Sequence, residues 1–265
     1  MPPSRFRVVF KAARQLGLIQ VALYALYKLG LKTGYYKGVE SRETEISLLL
    51  TNHLFTLPNR DQLKQILGED GQRALFAKAN EIIAGKIRMF GGEPSPLQLS
   101  FDTPLLHWAD YEIGKVRVKQ ASPLQDIKLI WEPARFGWAF LLGRAYYLTG
   151  DEGFASAFWE FFEQFTEANP PHLGPHWMNG QEVAIRLMAF VWANQVFEPA
   201  TASSAERCAR LAAAVAEHAA RIPPTLIYAR AQNNNHLVTE AAGLYTAGLA
   251  LPDHPQAPKW RALGW

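Results

Sequence analysis

Five phenylalanines between Glu152 and Ala168, at positions 154, 158, 161, 162 and 165, recur at the three- and four-residue spacing of one α-helical face. A face that apolar must pack against other elements, so this segment alone commits the chain to a layered helical core. Its limits are legible. Asp151, after the turn Thr149-Gly150, is a good N-cap, and Asn169-Pro170-Pro171 stops the helix. The same logic predicts helices over 12–32 (Leu16, Ile19, Leu23, Leu26, Tyr27), Gly71–Ile87, Ile130–Leu148 and about Gly180–Val196. Ser203 with Glu206 fits a capping box that opens another, running to Arg221. Pro223-Pro224 breaks it, and an apolar helix follows over Ala241–Leu251. Residues 123–251 thus read as five helices on short loops, which are normally antiparallel neighbours. A bundle, a solenoid and an incomplete (α/α) toroid all satisfy this, and the lack of a fixed repeat period counts against a regular array. Elsewhere the pattern is weaker. Ile46–Leu50 reads as a short strand, Gly91–Pro96 as a breaker, and 97–119 as extended, with a strand pair or arm over Tyr111–Val118. Pro252–Trp265 carries three prolines and no clear element. The expectation is an all-α chain with an irregular extension over 1–70 and a helical body over 71–265.

Composition removes several functions. A net charge of +3 suits an anionic substrate but is too weak, without a basic run interleaved with aromatics, for nucleic acid. Cys208 is the only cysteine, so neither an intrachain disulfide nor a cysteine metal site can form. No apolar run has the length of a membrane span. The segment from Leu16 to Leu29, behind Arg5, Arg7, Lys11 and Arg14, is interrupted by Gln20 and reads as an amphipathic helix rather than a signal peptide. No GxSxG, P-loop or GxGxxG motif occurs.

The chemistry concentrates in Ala231–Glu240, where Asn233, Asn234, Asn235, His236 and Glu240 precede the apolar helix. Asparagine suits caps and turns, which explains one of the three; three followed by histidine leave cap and site both open. His236 and Glu240 share a helix face at i and i+4, but two ligands without an HExxH motif do not make a metal site. Asn179, Glu182 and Arg186 also share a face, with Glu182 and Arg186 placed for a solvated ion pair. Trp177 reads as a sugar platform or as core, and Trp131 with Arg135 as a stacking pair. His53, His107, His172, His176, His218 and His254 lack partners at diagnostic spacing and read as structural.

In this order, several groups of residues resemble the N-terminal half of heparinase II/III-like polysaccharide lyases, with similar alginate lyases in the wider group. They are Asp126 to Arg135 (with Lys128, Trp131 and Glu132), Ala145 to Glu152, Asn169-Pro170, Gly174, Trp177, Glu182 to Arg186, and Asn234-Asn235-His236 with Glu240. The likeness covers roughly residues 80–265. It implies an incomplete (α/α) toroid of antiparallel helix pairs, followed in full-length members by antiparallel β-sheet domains. It also implies cleavage of a uronate-containing acidic polysaccharide by β-elimination, without a cofactor. The family's Asn-His pair matches Asn235 and His236. Its acid/base tyrosine lies further along the toroid, and a further histidine or tyrosine comes from the β-domain; both are expected to lie outside these 265 residues.

In that chemistry the uronate carboxylate must be neutralised while the C5 proton leaves. Asn235 is the expected amide donor, helped by Asn234 and the positive end of a helix, and His236 the general base. Glu240 would orient His236 or hold a protonated carboxyl against substrate, and Arg135 and Arg186 would bind anionic groups. Trp131, Trp177, Asn179 and Glu182 complete the expected substrate-binding set. Two other readings stand beside this one: a glycoside hydrolase using Glu182 and Glu240 as its paired carboxylates, and a non-catalytic carbohydrate-binding module.

Overall fold

The computed structural model describes residues 17–39, 49–51, 54–101, 105–116 and 126–265. His53 and residues 46–48 and 117–118 of the expected strands lie outside them. Among the described residues the first helices are α1 (Leu18–Thr33) and α2 (Tyr35–Gly38), joined by left-handed Gly34. Next is α3 (Arg60–Ile83), capped by Asn59, whose side-chain oxygen accepts from the amides of Asp61 and Gln62. It begins earlier than the apolar spacing predicts and is kinked at Gly68 (φ 62°). It also ends earlier, at left-handed Gly85, so Ile87 belongs to a strand. That strand, β1 (Lys86–Arg88), pairs antiparallel with β2 (Pro94–Pro96), a hairpin where only a breaker was expected. Tyr111 lies in a short helix, α4 (Trp108–Glu112), not in a strand.

The expected helix over 130–148 is two helices, α5 (Lys128–Ala134) and α6 (Ala139–Thr149). Between them Phe136 takes φ 58° and buries its ring completely, edge-on to Phe165 and Phe190. Core packing of one aromatic thus holds a backbone turn that a non-glycine residue seldom adopts. Then come α7 (Glu152–Ala168), within the limits predicted, and α8 (Gly180–Phe197). After them, α9 (Ala205–Arg221) is capped by Ser204 rather than Ser203. The Ser203 hydroxyl accepts instead from Trp159 Nε1 at 2.9 Å and donates to the Phe197 carbonyl at 2.5 Å. The polar stretch adds α10 (Leu226–Gln232), and α11 (Asn235–Ala250) starts six residues before the apolar run, so Asn235, His236 and Glu240 lie inside it. The proline-rich end forms α12 (Ala257–Gly264), packed along α11: a methyl at Gly264 would fall 2.5 Å from the Ala241 carbonyl.

The phenylalanine face of α7 is the centre of the core. Phe158, Phe162 and Phe165 are buried, Phe158 stacks on Phe197 of α8 at 4.7 Å, and Phe162 meets Phe190 edge-on. Close approaches fix how the helices run. Gly180 and Gly243 leave room for Glu240 and Ala184, so residues 180 and 184 of α8 lie beside 240 and 243 of α11, and the two are parallel. Arg135, just before α6, bonds Glu182, and Gly143 of α6 faces Trp192 and Val196 of α8, so these two are parallel as well. α7 and α9 return the chain between them. The result is an all-α layer of helix pairs in which α6, α8 and α11 present their N-termini at one end. No helix among the described residues is long and apolar enough to cross a membrane.

Candidate functional site

The three adjacent asparagines have three different jobs. Asn233 takes φ 47° and terminates α10, the left-handed cap that asparagine tolerates better than most residues. Asn234 is the N-cap of α11: its Oδ1 accepts from the His236 amide at 3.0 Å, and its Nδ2 donates to Gln232 Oε1 at 3.3 Å. Asn235 is left at the first helical position, exposed, with a side-chain amide that bonds no described residue. His236 follows, half-buried, edge-on to Tyr228 at 6.4 Å, with Nδ1 buried and without a hydrogen-bond partner. Burial lowers its pKa below the ordinary 6.5, and the Glu182 carboxylate partly opposes that fall.

Glu182, in the first turn of α8, is buried. Its partner is not Arg186, as the i, i+4 spacing invites, but Arg135, which forms a two-pronged ion pair with it at 2.6 and 2.8 Å. Arg135 Nη1 also reaches Glu132 at 2.6 Å. A line of Glu132, Arg135 and Glu182 therefore runs across the N-terminal ends of α6 and α8 toward His236. Asn179 caps α8 by accepting from the Gln181 amide at 2.8 Å.

Glu240 is only 1% exposed. Its carboxyl occupies the space where a side chain at Gly180 would go, at the N-terminus of α8, and its Oε2 has no hydrogen-bond partner. Burial pushes its pKa up to about 8 despite Arg221 nearby, so at neutral pH it is largely protonated.

Other expected binding residues are internal. Trp177 is 1% exposed, donates Nε1 to the Asn169 carbonyl at 3.3 Å and packs on His218, taking the core role rather than that of a platform. Trp131 is half-buried and bonds the Pro175 carbonyl instead of stacking on Arg135. Arg186 is also 1% exposed. Its guanidinium donates to His218 Nε2, the Ala134 carbonyl and the His176 carbonyl, and lies over the Phe165 and Trp177 rings. Burial lowers its pKa to about 9.

Arg221, which the spacing rules did not single out, has a matching role. It donates to the carbonyls of Trp177 and Met178 and to Thr225 Oγ1, 3.8 Å above the Trp108 ring. Together the two buried arginines tie down the backbone before α6 and α8, and so aim Arg135, Asn179 and Glu182. Tyr228 was also missed. It lies between His236 and Tyr27, on which it stacks at 4.6 Å, and burial raises the pKa of its hydroxyl. Its position on a seven-residue helix had no periodic signal to reveal it.

The arrangement gathers an exposed amide, an imidazole held neutral, a protonated carboxyl and three helix N-termini at one end of the molecule. Such an end favours a bound anion and supplies a base beside it.

No curated protein sequence matches the chain. Two solved structures share the fold. One is the heparan sulfate lyase HepC from Pedobacter heparinus, with TM-score 0.59 and 19% identity over 99% of this chain and 36% of that one. The other is a heparinase III with methylated lysines, with TM-score 0.60 and 21% identity over 96% of this chain and 36% of that one. The chain thus spans about a third of the length of either neighbour. The sequence pattern of the heparinase II/III N-terminus family matches residues 104–265, more than half of the chain and all of α4 to α12, so the chain belongs to that family.

Proposed function

We propose that this chain is the helical, proton-abstracting part of a polysaccharide lyase that cleaves a uronate-containing acidic polysaccharide by β-elimination. The observation that carries the reading is the pairing of Asn235, exposed and uncommitted, with His236, held neutral by burial, where α6, α8 and α11 present their N-termini. An anionic sugar carboxylate at that end would be stabilised by the helix dipoles and by the Asn235 amide, which lowers the cost of forming the enolate. Neutral His236 then takes the C5 proton. The C5–H electrons form the C4–C5 double bond as the C4–O bond breaks, and the leaving oxygen gains a proton from an acid contributed outside this set of residues. Family membership and the two lyases that share the fold give this reaction class its independent support.

Paired-carboxylate hydrolysis has less in its favour. Glu182 is held on both oxygens by Arg135, and Glu240 is sealed against Gly180. The test is a heparan sulfate digest with the protein at its natural length. The expected product carries a 4,5-unsaturated uronate absorbing in the near ultraviolet, and Asn235→Ala lowers its rate about a hundredfold or more, the usual cost of losing a preorganised donor. A product without the double bond would point to hydrolysis, and saturable binding without turnover to a carbohydrate-binding module.

A further inference from the structure

A groove of about 630 Å³ opens between α3, the β1–β2 hairpin and the α5–α6 turn. Its volume is in the range of pockets that hold a small ligand. The apolar part of its lining comes from Ala77, Ile82, Ile87, Trp138 and Leu141. Three cations also line it, Lys78, Lys86 and Arg88, together with two carboxylates, Glu81 and Glu132. Both carboxylates are ion-paired, although Glu132 shares its arginine with Glu182. Arg88 holds Glu81 with two bonds of 2.8 Å, and Arg135 holds Glu132 at 2.6 Å. Lys78 and Lys86 are exposed and have no ion pair among the described residues; both act on Glu81 from a distance, and with Arg88 they leave the lining one positive charge in excess of its two carboxylates. An apolar wall with surplus positive charge suits a sugar ring bearing a carboxylate or sulfate: the C–H face packs and the anion pairs.

A chain of ionic contacts also links the groove to the site at His236. Glu132 lines it and bonds Arg135; Arg135 bonds Glu182, whose carboxylate acts electrostatically on His236. We propose that this groove is a remote subsite for an anionic sugar residue of the same polysaccharide chain whose uronate sits at Asn235 and His236. The inference rests on the function proposed above. It adds that the ligand extends from α11 across the ends of α8 and α6 to the hairpin, and that the enzyme binds long acidic chains better than short ones.

The test is calorimetric titration of the chain with heparan sulfate oligosaccharides of two sizes, a disaccharide and a dodecasaccharide. The variants are Lys78→Glu with Lys86→Glu, and separately Asn235→Ala. All lie on the surface, and circular dichroism checks that each folds as wild type does. Wild type is expected to bind the dodecasaccharide more tightly. The lysine reversals should weaken that binding about tenfold or more while leaving the disaccharide unaffected, and Asn235→Ala should weaken both. Dodecasaccharide binding that ignores the lysine reversals, yet responds to Asn235→Ala, overturns the groove alone. Binding that responds to the lysines but not to Asn235 overturns the reading of the His236 end, and with it the proposal of one bridging chain. Equal weakening of both sizes by the lysine reversals, or no binding by wild type, overturns the subsite as well.

Discussion

His236 and Glu240 are one turn apart on α11, and burial drives their protonation in opposite senses: the imidazole loses its proton more easily and the carboxyl keeps its own longer. If His236 is the base proposed above, its lowered pKa places the acid limb of activity below 6.5, because the base must be neutral to accept the C5 proton. A kcat/KM profile on heparan sulfate checks this, and a limb above 6.5 would remove His236 from the role. For Glu240 the consequence is in stability. A carboxyl whose folded pKa is raised to about 8 keeps a proton that the unfolded chain has lost above the ordinary carboxylate range, so folding weakens as pH rises through that window. Glu240→Gln removes the titration. It should melt above wild type at pH 8 and close to it near pH 4, by thermal denaturation at both values; a constant offset would show that Glu240 does not titrate as described. Arg186 is different again, since its donors serve His218 and the carbonyls of Ala134 and His176. Arg186→Met should cost on the order of 3 kcal/mol in urea unfolding, because buried acceptors lose their donors.

At the scale of elements, the parallel contact of α8 and α11 depends on Gly180 lacking a side chain. Gly180→Ala places a methyl 2.7 Å from the Glu240 carboxyl and should cost about 1–3 kcal/mol. Adding Glu240→Ala should recover part of that loss, a coupling that a double-mutant cycle measures; additive effects would mean that the two residues are not in contact. The elements that were legible in the sequence are those whose signals are local. α7 shows an apolar stripe, a capping aspartate and an Asn-Pro stop, and its limits fall where those signals put them. The break between α5 and α6 was not legible, because Phe136 is forced into its left-handed turn by Phe165 and Phe190, partners distant in sequence. α12 was hidden by its prolines, one of which sits in the first turn, where a proline costs a helix little. The site divides the same way. Asn235, His236 and Glu240 are one contiguous motif and were readable. The Arg135–Glu182 pair joins residues 47 apart, and it forms because the nearer Arg186 spends its donors on His218 and the carbonyls of Ala134 and His176.

Over the whole molecule, two buried histidines, His176 and His218, and two half-buried ones, His107 and His172, are expected to weaken the fold in acid. Burial lowers the pKa of His107 and His172 to about 4, and takes His176 and His218 well below 6.5. Below 6.5 the unfolded chain binds protons that these folded histidines do not, so their contribution is full above that value and is lost as pH falls toward 4. Urea unfolding in the Glu240→Gln background should therefore show lower stability at pH 5 than at pH 7; equal stability would contradict the burial of these rings. The same helices that bury them bring α6, α8 and α11 to one end, and the account as a whole requires an acidic sugar to bind at that end. The most direct measurement is the imidazole resonance of His236 by heteronuclear NMR during titration with an unsulfated uronate-containing tetrasaccharide. Binding at Asn235 and His236 predicts a saturable shift of the His236 signal, abolished by Asn235→Ala, while the sealed His218 signal stays in place. Saturable binding that leaves the His236 resonance unmoved would contradict the account.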